Sequence, residues 1–242
     1  IIACARGKDA VVHEDVVRHG LLHHARYLTS MPSTWIGRFL KALVLFPFKF
    51  PQAPRVILRS VNFFRFGREV LSLELFYKTL MFLEARDHEI VVCHGGEQGI
   101  LGLRMKEIGA LTGKLVTVFH VEDLSDMVKA MMSEELQRLF ARGDLFLPVS
   151  LYAKEKLIEL GCPERKVVTH GMGVDVRQFD VTARRRFGSS ALKILSVARL
   201  IEKKGIVYAL EALALLHDVP YEYTIIGEGP LRGQLESKVR EL

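Results

Sequence analysis

Two stretches most constrain how this chain can fold: residues 193–205, KILSVARLIEKKG, and residues 224–232, TIIGEGPLR. Each begins with a short apolar run that has the length and composition of a buried parallel strand. Each run ends at a loop rich in glycine or in positive charge. The pattern predicts two strands of one parallel sheet, with a helix starting after each loop.

The first of these loops holds Arg199 and Lys204 and opens a helix. The N-terminal N–H groups of a helix favour an anion, an arginine grips oxygens in a planar fork, and a lysine supplies a point charge. This loop is therefore a candidate phosphate site. The second loop is a turn in which a ligand can approach the backbone closely. It consists of Gly227, Glu228, Gly229 and Pro230.

Ligands of open α/β sheets bind beyond the carboxyl ends of the strands. Since neighbouring strands deliver their loops to the same edge, we expect one nucleotide to contact both loops. The alternative for Arg199 and Lys204 is a solvated surface without a ligand.

Three motifs in this order carry a resemblance to a known family: LPVSLYAKEKLIELGCPERKVVTHGMGVDVRQF, then SVARLIEKKG, then IIGEGPLR. Each is modest alone, but their order and spacing together are specific. The chain resembles the family 4 retaining glycosyltransferases of the GT-B fold, nearest to the bacterial exopolysaccharide enzymes of the colanic acid or amylovoran type. The resemblance extends from about Val91 to the last residue.

The resemblance implies an α/β protein of GT-B type with two Rossmann-like, doubly wound parallel-sheet domains. We expect an acceptor-side domain over residues 1–175, a linker over 176–191, and the start of the nucleotide-sugar domain over 192–242. The family has a strand, a loop and a helix ahead of residue 1 and further strands after residue 242. We therefore expect both domains to be incomplete and this chain by itself to be inactive.

Two histidines and one aspartate are further candidate site residues. His94 follows an apolar strand and precedes a glycine-rich turn, and His120 ends the next strand. The family has His-Gly-x-Asp at the second position, so the resemblance implies that His120 contacts the donor sugar or the acceptor and that Asp123 helps to hold it. Here Val121 replaces the glycine, and a β-branched residue resists a positive φ. Structural capping of the turn or helix remains the alternative for His94 and Asp123.

The family also has a pair of glutamates about two helical turns apart. Glu228 and Glu236 have that separation, but Glu228 lies in the turn with Gly229 and Pro230, which rules out one continuous helical face. They also come before the expected place. We do not assign them to the pair, which we expect to be absent from this chain.

Residues 35–50, WIGRFLKALVLFPFKF, interleave large apolar residues with three cations. Such a helix can lie in a membrane interface, or it can pack on its own domain. The sequence leaves both open. It contains no apolar run of the roughly 18 residues that suggest a spanning helix, so we expect a soluble or peripheral protein. In the first case it would be a cytoplasmic protein that is peripheral on the inner face of the cell membrane.

The net charge and the cysteines limit which classes of partner and which compartment the sequence predicts. The net charge of +6 and a pI near 9.3 permit an anionic membrane, a phosphorylated ligand or nucleic acid, but no nucleic-acid signature is present. The three cysteines are far apart and odd in number, which favours free thiols in a reducing compartment.

Together with the cationic loop, the family resemblance implies an enzyme that moves a hexose from a nucleotide-diphosphate sugar to an oligosaccharide or lipid-linked polysaccharide acceptor, with retention and without a metal or other cofactor. Two alternatives stay open. One is a nucleotide-sugar epimerase or phosphorylase of the same fold, and the other is a non-catalytic remnant that binds nucleotide or membrane.

Overall fold

The computed structural model describes residues 2–3, 14–27, 30–83, 88–120, 134–178 and 191–242. The chain divides into two compact units, Ile1–Val174 and Asp175–Leu242. None of the described helices combines the length and the apolar composition that crossing a bilayer requires.

The first unit contains a three-stranded parallel sheet in the order β3-β4-β5. Its strands are β3 (Ile90–His94), β4 (Lys114–Phe119) and β5 (Leu145–Pro148). A separate parallel pair joins β1 (Ile2–Ala3) to β2 (Arg26–Tyr27).

Three helices alternate with the sheet strands and cover them. They are α6 (Gly96–Ile108), α7 (Glu134–Arg142) and α8 (Leu151–Glu159). Ser150 caps α8 by accepting a hydrogen bond from the N–H of Ala153 at 3.1 Å, as expected for an N-cap serine. Gly109 ends α6 with φ of 87°, which favours glycine.

A helical region lies between β2 and β3. Its helices are α2 (Trp35–Lys49), α3 (Pro54–Ser60), α4 (Phe63–Phe66) and α5 (Glu74–Leu80), and the short α1 (Glu14–Arg18) precedes it. A 3-10 turn at Gly67–Ser72 lies between α4 and α5.

Two apolar cores hold the first unit together. One joins α3, α5 and α6 through Ile57, Phe76 and Ile108, all nearly fully buried. The other joins the sheet to α7 and α8 around three buried phenylalanines, Phe119, Phe140 and Phe146, whose rings lie 5.5–6.4 Å apart. Burial raises the pKa of the Cys162 thiol in this second core to about 12.

The segment after α8 lies alongside β5. It begins with a 3-10 turn at Glu164–Lys166, and a parallel bridge joins Phe146 to Val167. The Lys166 ammonium donates to the carbonyls of Ala141 and Gly143 at 2.7 and 2.8 Å. The N–H groups of Val168 and His170 also donate to the carbonyls of Phe146 and Pro148 at 3.0 and 2.9 Å. The segment is therefore held by backbone pairing with β5 as well as by Lys166.

The second unit is built on the two strands that the sequence indicated, β6 (Leu192–Val197) and β7 (Tyr221–Ile226), which pair in parallel. Helices α9 (Ile206–Ala214) and α10 (Arg232–Glu241) follow them. A small core of Leu200, Ile206, Leu210 and Leu235 packs between the elements.

Candidate functional site

The loops that follow β6 and β7 are joined by backbone hydrogen bonds. Beyond the last strand pair, the N–H of Ala198 donates to the carbonyl of Ile226 at 3.0 Å and the N–H of Leu200 donates to that of Glu228 at 2.8 Å. The N–H of Leu231 in turn donates to Leu200 at 3.1 Å. The two loops therefore form one continuous surface at the carboxyl edge of the sheet.

Two glycines allow this close approach. A Cβ on Gly227 would lie 1.8 Å from the carbonyl oxygen of Ala198, and one on Gly229 would lie 2.4 Å from that of Leu200. Real Cβ atoms do not come so close to a backbone oxygen. The packing of the loops on each other thus requires these glycines even without a ligand, which the sequence alone did not indicate.

Arg199 and Lys204 are both exposed on the first of these loops. Lys204 ends a 3-10 turn, Glu202–Lys204, and Gly205 follows with φ of 65° before α9 begins. The lysine therefore lies within two residues of a helix N-terminus, where partial positive charge favours an anion. The arrangement suits a phosphate group.

Glu228 is engaged in an ion pair within its own unit. The Arg232 guanidinium donates to Glu228 at 2.7 Å and to Glu236 at 3.0 Å. These contacts, the Glu236 hydrogen bond first, raise the pKa of Arg232. Arg232 was not predicted from the sequence, although its spacing of four residues from Glu236 is the signal of such a pair on a helix.

His94 and His120 are brought together in the first unit. His94 is the last residue of β3 and His120 directly follows the neighbouring parallel strand β4. Their rings stack with centroids 5.9 Å apart and planes 24° apart. Gly95 has φ of 104° and donates its N–H to Val118 at 2.9 Å. This hydrogen bond fixes the turn that carries His94 against the end of the next strand.

A groove of about 410 Å³ adjoins His94. One side is β3 itself, and Gln98 and Leu101 of α6 form another part of the lining. Gln98 was not predicted from the sequence, where its signal is its position in the first turn of the helix after His94. The groove is mainly apolar, and its lining includes the polar side chains of His94 and Gln98 after one end of β3 and of His88 before the other.

Asp123 lies outside the described residues, so its predicted role stays a prediction. Among the residues that the structure describes, no group of three or more histidine, cysteine, aspartate or glutamate side chains is arranged to hold a metal ion.

Comparison with known protein families identifies the chain. Residues 17–178, more than half of its length, match Glycosyltransferase Family 4. The chain belongs to this family.

Curated relatives come from bacterial exopolysaccharide biosynthesis. The chain is 32% identical over 245 residues to WcaL of Salmonella typhimurium, named as a colanic acid biosynthesis glycosyltransferase, covering 100% of this chain and 59% of that protein. It is 39% identical over 156 residues to AmsK of Erwinia amylovora, an amylovoran biosynthesis glycosyltransferase, covering 63% of this chain and 38% of AmsK. The chain thus spans little more than half the length of WcaL.

A solved structure supports the fold. HepE of Anabaena, determined with UDP and glucose, matches with a TM-score of 0.53 at 17% identity, covering 92% of this chain and 53% of HepE. The family 4 resemblance and the α/β fold of GT-B type, both predicted from the sequence, are confirmed.

Proposed function

We propose that this chain is part of a glycosyltransferase that moves a hexose from a nucleotide-diphosphate sugar to a growing, lipid-linked polysaccharide acceptor, with retention of configuration. The joined loops of the second unit are the observation that carries the proposal. They hold two exposed cations, Arg199 and Lys204, and Lys204 lies two residues before the first residue of α9. Family membership and the names of WcaL and AmsK support transfer to an exopolysaccharide.

The chemistry requires charge stabilisation at this loop. When the bond between the sugar carbon and the diphosphate oxygen breaks, negative charge grows on the leaving nucleoside diphosphate. Preorganised cations aimed at that charge lower the barrier, and removing one such contact typically slows the reaction by about 10²–10³-fold. In this proposal Arg199 and Lys204 supply the charge that a divalent metal supplies in other enzymes.

The other candidate residues bind and position the substrates. The turn of Gly227, Glu228, Gly229 and Pro230 seats the nucleotide through its backbone, because the Glu228 carboxylate is paired with Arg232. The stacked imidazoles of His94 and His120 contact the transferring sugar or the acceptor, with Asp123 as a further contact. The protein acts at the cytoplasmic face of the cell membrane.

Replacing Arg199 tests the proposed stabilisation of the leaving diphosphate. Arg199→Ala in the full-length protein should abolish detectable hexose transfer and weaken nucleoside diphosphate binding, measured by radiolabelled transfer and by calorimetry. The matched control is Arg240→Ala, which removes an exposed arginine of α10 in the same unit and should change neither quantity. Unchanged kinetics for Arg199→Ala would remove the proposed role.

A thermal-shift screen of nucleoside diphosphates tests donor binding without an acceptor. A ligand that binds only the folded state stabilises it by about 2.7 kcal/mol at one hundred times its dissociation constant, so a binding diphosphate should raise the melting temperature. Release of free sugar or an epimerised donor in the absence of acceptor would contradict transfer and favour the epimerase or phosphorylase class.

A further inference from the structure

Helix α2 (Trp35–Lys49) turns an apolar face outward. Ile36, Leu40, Leu43 and Val44 follow one another at helical spacing and are 65%, 58%, 55% and 63% exposed. No residue of this fifteen-residue helix is buried within the described structure. A helix of a soluble domain normally turns such a stripe toward the core. Contact of this face with another apolar surface would therefore remove unfavourable exposure to water.

The opposite face of α2 is fastened to the protein. The Arg38 guanidinium donates to the carbonyls of Pro32 at 2.8 Å and Ser72 at 3.2 Å. The hydroxyl of Tyr77 donates to the carbonyl of Arg38 at 2.7 Å, and Lys41 donates to Ser30. These contacts fix the rotation of the helix, so the apolar stripe cannot turn inward without breaking them.

Helix α2 lies within a stretch of the sequence that contains lysine and arginine but no acidic residue. Between residues 16 and 68 the chain has nine lysines and arginines and no aspartate or glutamate. They are Arg18, Arg26, Arg38, Lys41, Lys49, Arg55, Arg59, Arg65 and Arg68. Arg55 and Arg59 of α3 are exposed, and exposed cations next to an apolar stripe complement an anionic lipid headgroup layer over a hydrocarbon interior.

An apolar groove of about 160 Å³ adjoins the stripe. Its lining is entirely apolar and includes Phe39, Leu43 and Phe46 of α2 with Val61 and Phe76 from the region behind it. Such a groove offers water no hydrogen-bonding partner, whereas a hydrocarbon chain fills it without loss.

We propose that the apolar face of α2 and the cations around it form a docking surface for an anionic lipid bilayer. Ile36, Leu40, Leu43 and Val44 enter the interface between headgroups and acyl chains, and exposed arginines such as Arg55 meet the phosphates. The inference deepens the proposed function, because it places the protein where a lipid-linked acceptor is found. Docking itself needs neither donor nor transfer.

The fluorescence of Trp35 reports directly on lipid contact at α2. Trp35 is the single tryptophan of the chain and is 61% exposed at the start of this helix. Titrating the full chain with vesicles of phosphatidylglycerol and phosphatidylcholine should shift Trp35 emission to shorter wavelength and increase its intensity. Vesicles of phosphatidylcholine alone should bind at least about tenfold more weakly, because each cation near an anionic surface contributes roughly fivefold to the affinity.

Variants separate the two parts of the surface. Leu40→Gln with Leu43→Gln should weaken binding by about 10- to 100-fold, since each leucine loses its burial in the acyl region. Arg55→Gln should weaken it about fivefold on anionic vesicles only. The matched control is Leu215→Gln with Leu216→Gln, two leucines of the second unit that are 75% and 43% exposed and should leave binding unchanged.

Other outcomes would overturn the proposal. They are the absence of a Trp35 shift with any vesicle, equal binding by the Leu40 and Leu43 variant, or equal affinity for neutral vesicles. A dimer in solution that the same two substitutions dissociate would show that a second copy covers the face. The vesicle assay contains no sugar donor, so its failure is distinguishable from failure of nucleotide binding or transfer.

Discussion

Single side chains in this protein make stabilising contacts that their residue type alone does not predict. Glu107 is an example, because its side chain is only 4% exposed and pairs with three arginines, Arg65, Arg138 and Arg142. The arginines come from α4 and α7, which are far from Glu107 in sequence. The carboxylate therefore joins three helices of the first unit.

Asp144 is a second such residue, at the turn before β5. Burial alone raises the pKa of its carboxyl, but the N–H of Leu115 at 2.8 Å and the ammonium groups of Lys106 and Lys114, each at 3.3 Å, outweigh burial. The pKa consequently lies below the ordinary aspartate value. A carboxyl with a depressed folded-state pKa stabilises the fold above its unfolded pKa and loses that contribution as the pH falls through the folded value.

Asp144→Asn should therefore show a pH-dependent loss of stability. At pH 7 we expect the free energy of unfolding to fall by roughly 1–2 kcal/mol, because the asparagine carbonyl still accepts from Leu115 while both charge pairs are lost. Below about pH 4, near the unfolded aspartate pKa, the difference from the wild type should shrink. Urea denaturation followed by Trp35 fluorescence and circular dichroism measures it.

The exposed Asp218 supplies the control. Asp218→Asn should show little difference from the wild type across the same pH range. A difference for Asp144→Asn that stays constant from pH 7 to pH 3 would show that the carboxylate charge is not the cause.

At the scale of elements, the packing of α6 on the sheet depends on two helical glycines. A Cβ on Gly99 would lie 2.7 Å from both side-chain branches of Thr117 and 3.0 Å from Leu139. A Cβ on Gly102 would lie 2.7 Å from the sulfur of Cys93. The helix that follows His94 thus approaches β3 and β4 more closely than any other residue type allows.

Gly99→Ala should destabilise the first unit although alanine is the better helix former. The helix-propensity gain is about 1 kcal/mol, whereas forcing a methyl group against a buried strand typically costs about 1–3 kcal/mol. We expect a net loss in the free energy of unfolding, together with altered packing of the His94 turn. Urea denaturation is the measurement.

Gly173→Ala is the matched control, because a Cβ there meets nothing within 4 Å. Its free energy of unfolding should stay within about 0.5 kcal/mol of the wild type. If Gly99→Ala were equally neutral, the close helix–sheet contact would not constrain the fold.

At the scale of the whole molecule, the two proposals assign different ligands to different compact units. Hydrogen–deuterium exchange with a bound nucleoside diphosphate should slow at residues 198–205 and 226–231 and not at 35–49. Anionic vesicles should slow exchange at residues 35–49 and not in those loops. Protection of all three segments by either ligand alone would contradict the separate sites.

Much of the fold was predictable because its signals are local. The apolar runs at β3, β4, β6 and β7 have strand length, and glycines and capping residues mark the ends of helices. Residues 167–170 show where local signals end, because strand pairing depends on neighbours. This segment lies beside β5 through one bridge to Phe146 and two backbone hydrogen bonds, without forming a full strand of the sheet.

The sequence by itself determined the alternation of strands and helices, the family, and which loops carry cations and histidines, because residue type, periodicity and motif order are properties of the chain. Only the tertiary structure decided that His94 stacks on His120, that Arg232 forms an ion pair with Glu228, and that the apolar stripe of α2 faces outward. These are distances between residues on different turns, strands or helices. They follow from how the elements pack, which no local pattern specifies.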